Sequence, residues 1–266
     1  MADEPAAGSD ARVIGERSGG LATITLSHPA ALNAMTWGMY DELFALCDTL
    51  EADPSVRVVI LQGAGTRSFV AGTDISQFTA FTSAEDGVAY EDRLDRIVGR
   101  LERLARPTIA KLRGYAVGGG AALALACDLR VATPALKFGV PIARTLGNCL
   151  SAQNLARIVD LVGPSRAKQL IYTAELLDAQ TCLALGIVNE VVEEAGLDAR
   201  VQAIADQIAA HAPLTLIATK QTIGRIMAER RPEPDLESVR RCYGSRDFHE
   251  GVAAFLQKRP PGWSGT

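Results

Sequence analysis

The sequence predicts an α/β protein with a helical C-terminal third, and three observations carry that prediction. Up to residue 150, short apolar strands alternate with helix-period segments across glycine turns. Beyond Ser151 the strand signal shrinks to "IVNEVV", while segment after segment repeats apolar residues at helical spacing. No Pro/Gly/Ser-rich linker divides the two regions, so one α/β domain carrying a helical extension is expected.

The first ten residues, "MADEPAAGSD", are small and polar and read as a disordered leader over residues 1–10. "ARVIGERSGGLATITLS" reads as a hairpin, with a turn at Ser18–Gly20 and Leu21, Thr23 and Thr25 alternating with Ala22, Ile24 and Leu26. Thr36 is placed to cap the helix "WGMYDELFALCDTLEAD", whose Met39, Leu43, Leu46 and Leu50 share a face, and Pro54 ends it. "VRVVILQGAG" is nearly continuously apolar, the pattern of a strand covered on both faces. After the loop "TRSFVAGTDISQF" come the helix "EDGVAYEDRLDRIVGRLERLA", the strand "TIAKLRGYA", a helix from Gly118 to about Ala126, and the strand "DLRVAT". Six further helical segments begin at Asn154, Ser165, Asp178, Leu197, Pro213 and Asp247. Their amphipathic pattern requires packing on the core or on another subunit.

The chain has 266 residues and is 48% hydrophobic, enough for a sizeable core. No stretch approaches the ~20 apolar residues of a spanning helix, and the start lacks signal-peptide regions, so a cytoplasmic protein without membrane partners is expected. A net charge of −4 with scattered Lys and Arg argues against nucleic acid as a partner. Five dispersed cysteines without a CxxC pair point to reduced thiols rather than disulfides or zinc. Three histidines, His28, His211 and His249, leave no basis for a His-rich metal site or a Ser-His-Asp triad.

"GYAVGGGAALALACDLRV" puts Gly118, Gly119 and Gly120 directly before an apolar helix. Each glycine costs roughly 0.5–1 kcal/mol relative to alanine inside an element, so the run needs a use. The first turn of a helix offers unpaired N–H groups and partial positive charge, which together hold an anionic oxygen. A dinucleotide fingerprint fails because Leu123 stands where the last glycine of G-x-G-x-x-G belongs, and a P-loop fails because no Gly-Lys-Ser/Thr follows. Close helix packing remains the alternative on the glycines alone. A second small-residue loop, "SFVAGTDISQF", also follows a strand, and Gly72 frees the backbone around Thr73. Two N–H groups from separate loops converging on one oxygen make an oxyanion hole, where each donor supplies ~3–4 kcal/mol to developing charge.

Over nearly its whole length the chain resembles the crotonase superfamily, the enoyl-CoA hydratase/isomerase family. The resemblance runs through "HPAALNAMT", "FVAGTDI", "GYAVGGGAALALACDLRVAT", "LKFGVPI", "LVGPSRAKQLIYTAELLDAQTCLALGIVNEVV" and "DFHEGVAAFLQKRPPGW" in order. It implies a crotonase-like spiral of ββα units over residues 11–200 and a helical region over 201–266 that builds trimers, often paired as hexamers. It also implies an acyl-CoA or enoyl-CoA substrate, with coenzyme A entering as part of the substrate and no separate cofactor. Its thioester oxygen would sit between the N–H groups of Thr73 and Gly119, stabilising an enolate or tetrahedral anion. Ala71, Thr73, Asp74, Ile75 and Ser76 match the stretch that lines coenzyme A in relatives, with Asp74 in a structural rather than catalytic role.

Hydratases of the family keep one glutamate two residues after the glycine triplet and another just after the "FG.P" segment. Here those positions are Ala122 and Ile142, and neither side chain transfers a proton. The usual two-glutamate mechanism is therefore excluded at these positions, and a variant reaction is expected: isomerisation, C–C cleavage or thioester hydrolysis. The alternative is a coenzyme A thioester-binding homologue with little activity. Candidates for side-chain chemistry lie in "PIARTLGNCLS": Arg144, Thr145, Asn148, Cys149 and Ser151. Cys149 falls near a position where some family members keep an aspartate. A glycine loop beside it would lower its pKa and favour a thiolate; the competing expectation is a buried, inert cysteine. Arg144 would orient an acyl carboxylate or pair with an acidic neighbour. Glu85, Asp86, Glu91 and Asp92 have the spacing of a solvated helix face.

Overall fold

The computed structural model describes residues 11–266, so the leader read over residues 1–10 lies outside the described residues. β1 (Arg12–Ser18) and β2 (Leu21–Ser27) form the expected antiparallel hairpin, turning at Gly19 with φ +58°. Every later strand of this sheet joins in parallel: β3 (Val58–Gly63), β5 (Thr108–Leu112), β7 (Leu129–Ala132) and β10 (Glu190–Val191), in the order β1-β2-β3-β5-β7-β10. A smaller sheet of β4 (Ser68–Val70), β6 (Tyr115–Val117), β8 (Lys137–Gly139) and β9 (Leu177–Asp178) runs in that order.

The continuous apolar runs are explained by burial on both faces. Val58 and Ile60 of β3, with Ile109 and Val131, pack against Leu197, Val201 and Ala205 of α7 (Glu194–Ala209). The alternate residues Val59 and Leu61 join the main core with α1 (Trp37–Ala52), α2 (Ala84–Glu102) and α3 (Gly119–Ala126). Period-two alternation thus sends one strand's side chains into two hydrophobic clusters. α7 begins before and ends after residue 200, so the boundary drawn there falls inside a helix that covers the sheet. α4 (Ile142–Thr145), α5 (Ala152–Thr173) and α6 (Ala179–Ala184) precede α7, and α8 (Pro213–Ala228), α9 (Leu236–Tyr243) and α10 (Arg246–Leu256) follow it. Among the described residues, no helix is long and apolar enough to cross a membrane.

One detail corrects the element reading. "TIAKLRGYA" is two strands in different sheets, because Gly114 turns the chain with φ +55° against Arg67, where a Cβ would lie 1.9 Å from the carbonyl oxygen. The two helical segments read on either side of Gly163 are found as such: α5 is two helices meeting at a kink, where Gly163 leaves the helical region with φ 74°, ψ 165° before Pro164.

Candidate active site

β4 and β6 are neighbours in the small sheet, so the loops leaving their C-terminal ends emerge side by side. The first runs Ala71-Gly72-Thr73-Asp74; the second is the turn at Gly118 into α3. Contact between them is direct: a Cβ on Gly118 would lie 3.8 Å from the Gly72 Cα, and one on Gly119 would lie 3.2 Å from the Thr73 Oγ1.

Among the described residues, each loop leaves backbone donors free, Thr73 N–H beside Gly72 N–H in the first and the first-turn N–H groups of Gly119, Gly120 and Ala121 in the second. Residue 73 is bridged in parallel to Met35, with the Met35 N–H donating to the Gly72 oxygen (2.8 Å) and the Asp74 N–H donating to the Met35 oxygen (2.9 Å). These flanking bonds turn the Thr73 N–H away from Met35, and it meets no acceptor among the described residues. In the other loop the Gly118 N–H donates to Gly139 O (2.9 Å), and Ala122 N–H to Gly118 O (3.1 Å) makes the first helical bond. The Gly119 N–H between them is likewise without an acceptor among the described residues, at the positive end of α3.

Each glycine of the triplet has its own reason. Gly118 adopts φ 55°, ψ −119°, which side chains oppose. Gly119 is partly exposed, and a Cβ there would strike the Tyr40 hydroxyl at 2.5 Å. Gly120 lets α3 cross β4, where a Cβ would stand 2.1 Å from Val70 O.

Ala71, Asp74 and Ile75 are partly exposed and Ser76 exposed beside Thr73. The Asp74 carboxylate accepts from the Ser76 N–H (3.0 Å) and hydroxyl (2.7 Å), and so caps the 3₁₀ segment Ile75–Ala80. A carboxylate committed in this way holds the loop.

The Thr73 side chain is fastened from two helices. Its Oγ1 lies 2.9 Å from the Tyr40 hydroxyl of α1 and 2.9 Å from the Tyr90 hydroxyl of α2. Burial pushes both phenols well above their ordinary pKa, so both remain protonated. Tyr90 also packs on Trp37 at 5.3 Å and Phe78 at 5.0 Å between ring centroids, and it lines a cleft of about 250 Å³ with Trp37, Phe81, Asp86, Ala89 and Arg93.

Ala122 and Ile142 are both buried, at 7% and 8% exposure. Downstream, Asn148 Nδ2 donates to the Tyr243 hydroxyl (3.0 Å), which donates to Glu91 Oε1 (2.5 Å), while Ser151 N–H donates to Glu91 Oε2 (2.9 Å). Glu91 is 4% exposed, which corrects its assignment to a solvated face; Glu85 and Asp92 are exposed as expected. Burial raises the Glu91 carboxyl to about 8, against the opposing pull of Tyr243 and Ser151.

Cys149 faces α9. Its Sγ lies 3.8 Å from Ser238 O, and the neighbouring Cys242 thiol and burial push its own thiol up, while the same pairing draws the Cys242 thiol down. The lowered Cys149 pKa expected from the glycine loop is therefore replaced by a raised one. Arg144 is exposed, with no ion pair among the described residues.

Tyr40, Tyr90 and Tyr243 escaped sequence reasoning. The buried face of Glu91 carried a signal: Gly87, Glu91, Leu94 and Val98 follow helical spacing, with a single acid on the apolar stripe.

The family model for enoyl-CoA hydratase/isomerase matches residues 16–266. The short-chain-enoyl-CoA hydratase of Clostridium acetobutylicum is 36% identical over 250 residues, covering 93% of this chain and 95% of that protein. Among solved structures, an enoyl-CoA hydratase/carnithine racemase from Magnetospirillum magneticum superposes with TM-score 0.79 at 35% identity, covering 96% of each chain. Methylmalonyl-CoA decarboxylase in complex with 2-nitronate-propionyl-CoA superposes with TM-score 0.87 at 28% identity, covering 97% of this chain and all of that one. Matched across its described length in sequence and in fold, the chain belongs to the enoyl-CoA hydratase/isomerase family and has the crotonase fold.

Proposed function

We propose that this chain binds an acyl-CoA thioester with its carbonyl oxygen between the Thr73 and Gly119 N–H groups, and that it turns the thioester over through an enolate without the two-glutamate hydration step. One observation carries the reading: Thr73 and Gly119 hold N–H groups without acceptors among the described residues on two loops in direct contact; the family resemblance adds that Ala122 and Ile142, both buried, fill the positions of the hydratase acids. An anion sink without a carboxylate base fits C–C cleavage best, because the electrons of the enolate then come from the breaking bond and no proton need be removed. Decarboxylation of a malonyl-type thioester is the simplest such reaction, and the likeness to methylmalonyl-CoA decarboxylase supports it. Isomerisation or thioester hydrolysis would each need an added base, and Cys149, with its raised thiol, is a poor one. Ala71, Asp74, Ile75 and Ser76 would line coenzyme A, which enters with the substrate; no further cofactor is required.

A homotrimer, single or paired as a hexamer, is supported by α8, which buries no residue within the chain and exposes Leu214, Ile223 and Ile226. A cytoplasmic location completes the proposal.

The test is a panel of crotonyl, branched and dicarboxylic acyl-CoAs followed by mass spectrometry. Loss of carbon dioxide from a 2-carboxyacyl-CoA, with crotonyl-CoA left unhydrated, is the expected result. Efficient hydration of crotonyl-CoA would overturn it. Calorimetric binding with every substrate unchanged would select the second reading, a thioester-binding homologue without turnover, which the missing acids favour.

A further inference from the structure

The Tyr40–Thr73–Tyr90 chain holds three hydroxyl protons and only two oxygen–oxygen contacts, so one proton has no acceptor within it. None of the three oxygens has another partner among the described residues, and Tyr40 is 1%, Thr73 7% and Tyr90 9% exposed. A buried donor left unpaired is unfavourable, and a structure that keeps one at a ligand site has an acceptor arriving from outside. The chain ends beside the crossing of the two loops. Tyr40 Oη lies 2.5 Å from the point where a Cβ on Gly119 would stand, closer than Thr73 Oγ1 at 3.2 Å.

Either oxygen of each contact can donate, and three alignments satisfy both contacts. If Tyr90 donates to Thr73 and Thr73 donates to Tyr40, every oxygen in the chain accepts or donates once, and the free proton emerges at Tyr40 beside Gly119. Hydrogen bonds aligned in one direction polarise each other and strengthen the terminal donor. The reverse alignment leaves the free proton on Tyr90, at the cleft it lines with Trp37 and Phe81 and away from Gly119, and donation by both tyrosines leaves it on Thr73 Oγ1; the first alignment alone brings a tyrosine donor to Gly119.

We propose that Tyr40, aligned by Thr73 and Tyr90, is a third donor of the anion site, a side-chain hydroxyl that acts on a ligand oxygen only when that oxygen carries negative charge. The proposal rests on the reading of the two loops as an acyl-CoA anion site. It adds a charge-selective group that neither backbone N–H requires. A neutral thioester oxygen is served by the two backbone donors, whereas an enolate oxygen takes the third bond as well.

The test compares two ligands on the full-length protein by titration calorimetry: a nitronate acyl-CoA, which carries the enolate's charge, and the corresponding saturated acyl-CoA. Tyr40→Phe is expected to weaken the nitronate by about 10-fold or more, the scale of a hydrogen bond to a charged group, and to leave the neutral ligand within about 2-fold. Tyr90→Phe, which shortens the chain without removing the terminal donor, is expected to weaken the nitronate by a smaller factor of about 3. Equal losses for both ligands in Tyr40→Phe would mark a merely structural role and overturn the proposal, as would no loss for either. Should Tyr40→Phe fail to fold, an unchanged nitronate-to-neutral affinity ratio in Tyr90→Phe overturns it. Wild-type protein that binds neither ligand would instead refute the acyl-CoA reading.

Discussion

Gly119→Ala sets stability and ligand binding against each other. Alanine in the first turn of a helix is favoured over glycine by up to about 1 kcal/mol, so by propensity alone α3 gains. The added Cβ would lie 2.5 Å from Tyr40 Oη, about 0.9 Å inside ordinary 3.4 Å contact. Tyr40 cannot retreat freely, because its ring is 1% exposed and its hydroxyl is bonded to Thr73. The backbone at residue 119 must therefore move, and a misplacement of ~1 Å at a reacting centre is enough to lose about 100-fold in rate. For an anionic acyl-CoA analogue, losing one hydrogen bond to a charged oxygen amounts to about 1.5–3 kcal/mol, or roughly 10- to 150-fold in affinity. Urea unfolding is expected to give a change within about 2 kcal/mol, while calorimetry shows the full loss of affinity. Gly119→Ala in a Tyr40→Phe background removes the struck oxygen, so its further effect should be smaller than in wild type. Affinity within 3-fold of wild type in the single variant, with stability unchanged, would refute the placement of the Gly119 N–H at the anion.

Other expectations are as specific. Because Glu91 is held protonated to about pH 8 in the fold but ionises near 4.5 when unfolded, the folded state binds the extra proton and stability falls as pH rises through that window. The stability advantage of wild type over Glu91→Gln should shrink by about 1.4 kcal/mol per pH unit between pH 5 and 8, read from urea midpoints; a constant difference refutes the buried, proton-binding carboxyl. Gly114→Ala forces a side chain into φ +55° and into Arg67 O, and should lower the unfolding free energy by more than ~2 kcal/mol. Cys149→Ser should leave any turnover within about 3-fold, since its thiol faces Ser238 and Cys242. Iodoacetamide at pH 7 should alkylate Cys242 first of the five cysteines, as peptide mapping would show.

The alternating strands and helices were legible because they depend on local pattern: Val58 to Leu61 is apolar throughout, and the sheet is covered on both faces. The second sheet was not. β4, β8 and β9 are three, three and two residues long, too short to show a period; β4 and β8 are joined through β6, which stands between them, and β9 adds to β8. Gly114, which diverts one apolar run into two sheets, reads in sequence as any turn glycine; its necessity comes from Arg67, 47 positions earlier.

The site divides along the same line. Its backbone half was legible because a free N–H at a helix start needs bare glycine, and glycine is written in the sequence where it is used. Its side-chain half was hidden because Tyr40 and Tyr90 come from two helices, 33 and 17 residues from Thr73, and each looks alone like an aromatic on an apolar stripe. Only the fold brings their hydroxyls to one threonine. On the proposed function, Ala122 and Ile142 in place of acids then take on a different sense. A pair of glutamates would activate water before any enolate exists, whereas a hydroxyl chain next to Gly119 can act only after charge has developed. On the function proposed above, such a site would suit chemistry in which bond breaking itself creates the anion rather than attack by a water nucleophile.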